Sequence, residues 1–345
     1  MSTMDAFAAD VFGMIELTGL VNEIDYVPNT LATMGIFTGA PKRTTKVFID
    51  RRKKTLSLIA NSPRNSPPEE DRQADRSAVT LETTRLARSQ KLYATEMQDV
   101  RAFGFENDIE NAAAKMAEIL GDLRSQQELT HEHHRLGAVQ GKLLDADGTT
   151  VIYDYFAEFG HTEGAAVNFA LGTSSTDVIG KFKEVERGMK RSAKGAYTPQ
   201  TRIVGLAGDS FFDQVTSHPN IEKFYLQSLQ GQRAAENQRP FSAFDIPGTD
   251  VTLLNYRGTD DNSAVAIPNA ECKFFPQNAR EVFEFAMGPD ETFNGVNSPG
   301  QLLYSERVFE REANPGQSRY VDIQTRSFPL FICSRPEVLR KAVAA

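Results

Sequence analysis

The residues of this sequence best suited to chemistry are the run His131-Glu132-His133-His134. On a helix, its first and last histidines would share one face, and histidine together with glutamate can ligate zinc. The usual zinc-hydrolase pattern is His-Glu-x-x-His, with two histidines four residues apart. The order here is different, so we interpret the run as a solvated helix end, where histidine and Arg135 suit the helix dipole. A metal-dependent hydrolase is the enzyme alternative.

The other candidate catalytic motifs are incomplete. The stretch Gly205–Gly208 follows a strand-like run but matches neither the Walker pattern nor the dinucleotide fingerprint. Ser210 does not lie in a Gly-x-Ser-x-Gly elbow, because Phe212 occupies the second glycine position. A helix N-cap explains Asp209 and Ser210 better, and acidic pairs fall in loop-like, solvated segments. We therefore predict no catalytic residue, no metal site and no cofactor.

The composition is that of a globular protein of about two domains. The 345 residues are 40% hydrophobic and 24% charged, with a formal net charge of -8. An acidic chain is a poor generic nucleic-acid binder, although a local basic patch could still contact DNA. Cys272 and Cys333 indicate two free thiols in a reducing cytoplasm. Since the sequence shows no spanning apolar stretch and no signal peptide, we expect cytoplasmic synthesis and no membrane partner.

One long helix is the strongest element signal. Apolar residues recur at three- and four-residue spacing from Phe105 to about Gly137, among them Met116 and Leu123. Residues 141–156 then predict a β-hairpin, with an Asp-Gly turn followed by a strand that runs to residue 156.

From Ser174 onward, helical and strand-like patterns alternate, which predicts a second domain of α+β type. The predicted elements are a helix over 178–189 capped by Ser175 or Thr176, a buried strand over 202–207, helices over 209–216 and 221–229, and strands over 251–256, 264–267 and 320–332.

The N-terminal part predicts elements that cannot bury their apolar residues alone. The first forty residues read as an extended arm that carries Leu17 and Leu20. Residues 42–88 read as a long two-stranded ribbon with a proline-rich tip, and Leu56 and Leu58 alternate with polar residues within it. Because an isolated two-stranded ribbon is marginally stable in water, we expect another molecule to stabilise it.

The ribbon also carries two charged runs. The basic run is Arg51-Arg52-Lys53-Lys54 and the acidic run is Glu69-Glu70-Asp71. Solubility would explain both runs, but complementary charge recognition between copies of the chain is the sharper interpretation. The predicted subunit-interface residues are therefore Leu17, Leu20, Arg51, Arg52, Lys53, Lys54, Leu56, Leu58, Glu69, Glu70 and Asp71.

Two stretches of sequence carry a family resemblance. The first is GKLLDADGT at residues 141–149 with YFAEFG at 155–160, and the second is FNGVNSPG at 293–300 with Tyr304 and FPLFICSRP at 328–336. In this order they resemble the major capsid protein family of lambda-type tailed bacteriophages. That family has the Johnson fold, also called the Hong Kong 97 capsid fold.

The resemblance implies an α+β fold of four parts. Residues 1–36 would form an N-terminal arm and residues 37–92 an extended E-loop. Residues 93–173 and 309–345 would form a peripheral domain, with a long spine helix at about 97–137. Residues 174–308 would form an axial domain around the symmetry axes of a shell.

The implied function is structural. The chain would assemble with copies of itself, as pentamers and hexamers, into the icosahedral shell of a virion. Residues 1–36 read as the arm itself, so the resemblance implies a separate scaffold protein, together with a portal, a possible decoration protein and packaged double-stranded DNA on the inner face. An encapsulin-like nanocompartment, which shares the fold, is the alternative shell.

Overall fold

The computed structural model describes residues 30–53, 75–98, 108–223, 243–256, 267–293, 295–309 and 319–345. Its helices include α1 (Thr30–Thr33), α2 (Ala94–Gln98), α3 (Asp108–Gln140), α4 (Tyr155–Glu158), α5 (Val178–Ala193) and α6 (Asp209–Thr216). Its strands are β1 (Thr38–Pro41), β2 (Lys46–Lys53), β3 (Asp75–Glu82), β4 (Leu86–Tyr93), β5 (Lys142–Leu144), β6 (Val151–Asp154), β7 (Val167–Asn168), β8 (Arg202–Ala207), β9 (Ala243–Asp245), β10 (Val251–Asn255), β11 (Glu271–Gln277), β12 (Phe283–Met287), β13 (Tyr304–Phe309), β14 (Tyr320–Ser327), β15 (Pro329–Cys333) and β16 (Arg340–Val343). The predicted α+β class is confirmed.

A six-stranded mixed sheet organises the second half of the chain, in the order β7-β16-β11-β8-β10-β9. Its strand β8 is buried from Ile203 onward, as the continuous apolar run of a central strand predicts. Helices α5 and α6 pack their apolar residues into one cluster with this sheet, around Phe182, Phe211 and Phe274. Strands β7 and β16 belong to this sheet although they lie outside residues 174–308.

Two three-stranded sheets, β1-β12-β15 and β13-β14-β4, lie against the long helix α3. The tail predicted as one strand over 320–332 is therefore two strands. Ser327 ends β14 and Pro329 begins β15, and the two strands pair in different sheets. The two halves also differ in burial: most of β14 alternates buried and half-buried residues, whereas β15 is buried at every position.

The predicted long helix is present as α3, but its predicted end at residue 137 is wrong. The helix passes Gly137 and ends at Gln140, where Gly141 has φ +85°. Glycine is required there because a Cβ would overlap the ring of Phe156. Gly137 is a packing glycine instead, since a Cβ would lie 2.8 Å from the Lys142 carbonyl oxygen. At the other end, residues 97–98 belong to α2, and residues 99–107 lie outside the described part of the chain.

The predicted hairpin is present as β5 and β6, which are antiparallel. Its exit strand is shorter than predicted, because Asp154 caps helix α4 by accepting a hydrogen bond from the Phe156 N–H at 3.0 Å. In the turn, the Asp147 carboxylate accepts hydrogen bonds from the backbone N–H groups of Thr149 and Thr150. The turn therefore supplies its own polar partners.

Both predicted N-caps of the second domain are wrong. Asp177, rather than Ser175 or Thr176, caps α5 by accepting from the Gly180 N–H at 3.0 Å. Gly208 occupies the cap position of α6, without a side-chain cap. The elements predicted over 55–60 and 264–266, and most of the helix over 221–229, fall outside the described residues.

The predicted ribbon is confirmed where the structure describes it. Strands β2 and β3 pair antiparallel from Lys46 opposite Glu82 to Lys53 opposite Asp75. The flanking strands β1 and β4 pair with β12 and β14, so the ends of the E-loop segment 37–92 are anchored in two separate sheets.

Candidate functional site

The predicted interface residues lie mostly outside the part of the chain that the structure describes. The backbone of Arg51 to Lys53 lies in β2, and the structure does not describe those three side chains. The remaining predicted residues, Leu17, Leu20, Lys54, Leu56, Leu58, Glu69, Glu70 and Asp71, lie outside the described part of the chain.

The described root of the ribbon has one covered face and one open face. Val47, Ile49 and Leu81 are buried against the body of the protein. Phe48, on the opposite face of the same strand, is 67% exposed. This alternation follows from the period-two geometry of a strand. The ribbon root therefore docks on its own chain through one face and presents an aromatic side chain on the other.

The ribbon leaves the body from a fixed base. The Tyr153 hydroxyl bonds both backbone groups of Glu82, accepting from its N–H at 3.0 Å and lying 3.1 Å from its carbonyl oxygen. The Thr84 hydroxyl donates to the Pro329 carbonyl oxygen at 2.6 Å. These bonds tie the ribbon to the hairpin and to β15, so its direction is set by the fold.

A second outward-facing feature, the turn of residues 288–300, was not predicted as functional. Its tip residue Phe293 is fully exposed, and Val296 is half exposed. Beneath the tip, Asp290 is buried and accepts hydrogen bonds from the Glu291 N–H at 2.9 Å and the Thr292 hydroxyl at 2.5 Å. We call the described residues of this turn, 288–293 and 295–300, the Phe293 turn.

The Phe293 turn shares its base with the ribbon. The Arg85 guanidinium, which follows β3, makes two hydrogen bonds to the Glu291 carboxylate, at 2.7 and 2.6 Å. The Gly300 N–H donates to the Lys42 carbonyl oxygen at 3.0 Å, just before β2. The turn therefore contacts both chain segments that lead into and out of the ribbon.

The His131–His134 run is buried, so its interpretation as a solvated helix end is wrong. The imidazole Nε2 of His131 lies 2.9 Å from the Ser327 hydroxyl, and Nε2 of His133 lies 3.1 Å from the Asp145 carbonyl oxygen. The last turns of α3 are covered by β14, β15 and the hairpin. Sequence alone could not show this, because the covering strands come from distant parts of the chain.

Glu132 joins three segments at this buried end. Its Oε1 accepts from the Leu31 N–H at 2.8 Å and from the Tyr256 hydroxyl at 3.3 Å. Its Oε2 lies 3.4 Å from Nη1 of Arg135, whose guanidinium stacks over the Phe331 ring at 4.9 Å. Glu132 therefore fixes α1, where the described chain begins, to the long helix.

Burial controls the protonation of these groups. It lowers the pKa of His134 to about 3 and also lowers the pKa of His131, because a charged imidazolium would lose its hydration. Burial raises the pKa of Glu132, against the hydrogen bond from Leu31 and the charge of Arg135. Neutral buried imidazoles of this kind are packing and hydrogen-bonding groups.

Within the described ranges, no group of three or more His, Cys, Asp or Glu side chains is arranged to hold a metal ion. Cys272 and Cys333 are free, as predicted, and the structure shows that both are fully buried. Burial raises the pKa of both thiols, which makes them unreactive. None of the helices in the described part of the chain is long and apolar enough to cross a membrane.

A cavity of about 560 Å³ opens between α5 and the C-terminal strand. Arg340 lines it, and its guanidinium is already bonded to the carbonyl oxygens of Glu337, Leu339 and Gly188 at 2.8, 2.7 and 3.1 Å. Arg187 and Glu184 at the rim give mixed charge. The lining residues do not pair a nucleophile with a general base, so we assign no catalytic role to this cavity.

Comparison with solved structures identifies the fold. The chain is similar to a subunit of the mature capsid of bacteriophage PhiM1, with a TM-score of 0.53 and 11% identity over 94% of this chain and 89% of that one. It is equally similar to the capsid of cyanophage P-SCSP1u, with a TM-score of 0.53 and 8% identity over 93% and 90% of the two chains. The fold is therefore that of the Hong Kong 97-type capsid proteins, as the sequence resemblance predicted.

The sequence comparisons then give the family. The chain belongs to the family described as phage major capsid protein E, which matches residues 13–344. It is 26% identical to the major capsid protein of Salmonella phage Felix O1, over 95% of both chains. The protein is thus a structural subunit of a phage head shell and part of the virion, and not an enzyme.

Proposed function

We propose that this chain builds a lambda-type head from pentamers and hexamers of itself, with contacts between copies made by the arm and the ribbon. The observation that carries the proposal is the ribbon root, which buries Val47, Ile49 and Leu81 on its own chain and leaves Phe48 exposed. A two-stranded ribbon extending beyond such a root needs a further surface for stability. A neighbouring copy supplies that surface in a shell.

We propose four structural roles for the parts of the chain. The arm (residues 1–36) and E-loop (37–92) would reach neighbouring copies, and the peripheral domain (93–173 and 309–345) would carry the long helix. The axial domain (174–308) would surround the symmetry axes. One strand of the proposed peripheral part, β16, pairs with β11 in the six-stranded sheet and so joins the two proposed domains.

The charged runs would give these contacts their register. In the ribbon, the pairing of β2 with β3 puts Arg52 opposite Arg76. Like charges at opposed positions of a strand pair are destabilising, so an acidic partner surface would relieve the ribbon. The acidic run of a neighbouring ribbon, residues 69–71, is one such surface.

Charge reversal tests this proposal. Replacing Arg51, Arg52, Lys53 and Lys54 by Glu is expected to block assembly, while the unassembled chain keeps its thermal transition. A matched control reverses four exposed cations of the body, by Lys183→Glu, Arg187→Glu, Arg191→Glu and Arg202→Glu, which changes the net charge equally. Electron microscopy of both proteins decides the question. Normal shells from the ribbon variant would refute the charge mechanism.

Salt gives an independent readout. Exposed ion pairs are screened beyond about 8–10 Å at physiological ionic strength. Assembly of the unsubstituted chain is therefore expected to weaken as sodium chloride is raised, and light scattering would follow it. Assembly that is indifferent to salt would show that these runs are only solvated surface.

The remaining partners follow from the proposed head. We propose a separate scaffold protein during assembly, a portal, a decoration protein on the outside and packaged double-stranded DNA inside. Imaging the full chain expressed with and without its scaffold tests the first of these. Regular closed shells formed in both cases with the same diameter would show that the scaffold is dispensable.

A further inference from the structure

We propose that the Phe293 turn (residues 288–293 and 295–300) inserts the apolar side chains of Phe293 and Val296 into a neighbouring copy of this chain, as a contact distinct from those of the arm and ribbon. The inference rests on the proposed assembly of copies into a shell. Phe293 is 100% exposed and Val296 is 51% exposed. Covering these exposed apolar side chains would remove apolar area from water, which stabilises the contact that covers them.

The described residues around Phe293 are held by their own chain before any partner arrives. The Val296 N–H donates to the Thr292 carbonyl oxygen at 2.8 Å, which closes the turn. Gly295 packs directly on Asp290, where a Cβ would lie 2.4 Å from the aspartate Cβ. Asp290 in turn lies 3.4 Å from Nε of Arg326 in β14. A preorganised loop loses little conformational entropy on binding, which favours its use as a contact.

The chemistry of the turn selects protein over nucleic acid. The turn contains no lysine or arginine, and its charged side chains, Asp290 and Glu291, are acidic and precede the tip. DNA binding depends on cations that neutralise phosphate, so packaged DNA is a poor occupant. An apolar tip suits a hydrophobic recess on a protein.

The position of the turn favours a second copy as the partner. The turn and the ribbon share a base through Arg85–Glu291 and Gly300–Lys42. A ribbon that reaches a neighbouring copy therefore leaves the body beside the turn, so both face the same border between subunits. In a symmetric shell the same contact then recurs around every border of that type, and each repeat adds to closure.

Photo-crosslinking tests the identity of the partner. The photoreactive residue p-benzoylphenylalanine is placed at position 293, and this variant is mixed as a minority into shells of the unsubstituted full chain. Irradiation of the shells is expected to give a covalent dimer of the coat chain, mapped by mass spectrometry, and irradiation of the unassembled variant is expected to give none. Adducts only with another protein, only within one chain, or none at all would overturn the inference.

A pair of substitutions supplies the energetic readout. Phe293→Ser is expected to raise the protein concentration needed for assembly about tenfold, which corresponds to a loss of about 1.4 kcal/mol per contact. Phe293→Leu keeps an apolar tip and is expected to assemble nearly normally. Val151→Ser, at a half-exposed valine of the hairpin, is the matched control and is expected to have little effect. Equal assembly of the Ser and Leu variants would overturn the inference.

The outcomes separate this inference from the proposed assembly. If shells form normally but give no adduct between copies at position 293, the proposed Phe293 contact is refuted and the proposed assembly still holds. Failure of the unsubstituted chain to form shells under all conditions, scaffold included, would overturn both.

Discussion

The six-stranded sheet unit and the ribbon side of this capsid protein place their aromatic residues in opposite environments. In the sheet unit, Phe169 is fully buried and meets Phe182 and Phe211 at ring-centroid distances of 4.8 and 5.4 Å. On the ribbon side, Phe48 and Phe293 project into solvent. The described core of the sheet unit is formed within one chain, whereas the described ribbon side leaves these two aromatic side chains exposed to solvent.

The largest expected effect is in the sheet unit. Phe274→Ala removes a fully buried ring that packs on Phe182 at 6.0 Å, so we expect a loss of about 3–5 kcal/mol in the free energy of unfolding of the unassembled chain. The matched change on the ribbon, Phe48→Ala, is expected to change it by less than about 0.5 kcal/mol. Urea denaturation followed by circular dichroism measures both. Similar losses of unfolding free energy in the two variants would show that Phe48 supports the fold as much as Phe274 does.

The joint between α1 and the long helix gives the next effect. Glu132→Ala removes the carboxylate that accepts hydrogen bonds from the Leu31 N–H and the Tyr256 hydroxyl and that lies beside the Arg135 guanidinium. We expect this change to lower the free energy of unfolding by about 3 kcal/mol. Glu132→Gln keeps an acceptor oxygen and is expected to cost about 1 kcal/mol. If the two variants unfold alike, the hydrogen bonds to Glu132 do not stabilise this joint.

The buried histidines predict a smaller, pH-dependent effect. His134 has a pKa of about 3 in the folded chain against 6.5 for the free side chain. Below 6.5 the unfolded chain therefore binds a proton that the folded chain excludes, and stability falls as the pH drops. The loss approaches about 1.4 kcal/mol for each pH unit below 6.5.

Thermal denaturation between about pH 7.5 and pH 5.5 would measure this loss. His134→Gln lacks the titrating group and is expected to show a shallower dependence, whatever its stability at neutral pH. The charged and titrating neighbours of His134, which are His131, His133 and Asp145, are unchanged in both proteins, so the difference in slope reports His134. Identical slopes would show that His134 does not stay neutral in the folded chain.

The smallest effect is expected at the base shared by ribbon and turn. Arg85 and Glu291 form an exposed pair, and such pairs contribute about 0–1 kcal/mol. Arg85→Ala should therefore leave unfolding of the unassembled chain almost unchanged while it lowers the yield of shells. A loss above about 2 kcal/mol would show that this pair supports the fold itself.

The sequence predicted elements that depend on local patterns. The three- and four-residue spacing around Met116 and Leu123 predicted α3, and alternation predicted the ribbon, because a helix face and a strand face recur within a few residues. The end of α3 was misplaced since Gly137 resembles a terminator. Only the approach of Lys142 shows that close packing requires this glycine.

The main error of the sequence-based prediction concerned whether polar residues are buried or exposed. His131 and Glu132 read as solvated because histidine and glutamate usually lie at the surface. Their partners Ser327, Leu31 and Tyr256 are 196, 101 and 124 residues away in the chain, so no local pattern could reveal them. The converse holds for Phe293, since a phenylalanine in a turn reads as either core or surface until the fold is known.

A cryo-electron microscopy reconstruction of the assembled shell tests the central claim most directly, because it measures the burial of Phe48 and Phe293 between copies. The arrangement described here predicts that both side chains, exposed at 67% and 100% in the single chain, become buried against neighbouring copies of the same protein. A closed shell in which both rings remain exposed to solvent would contradict it.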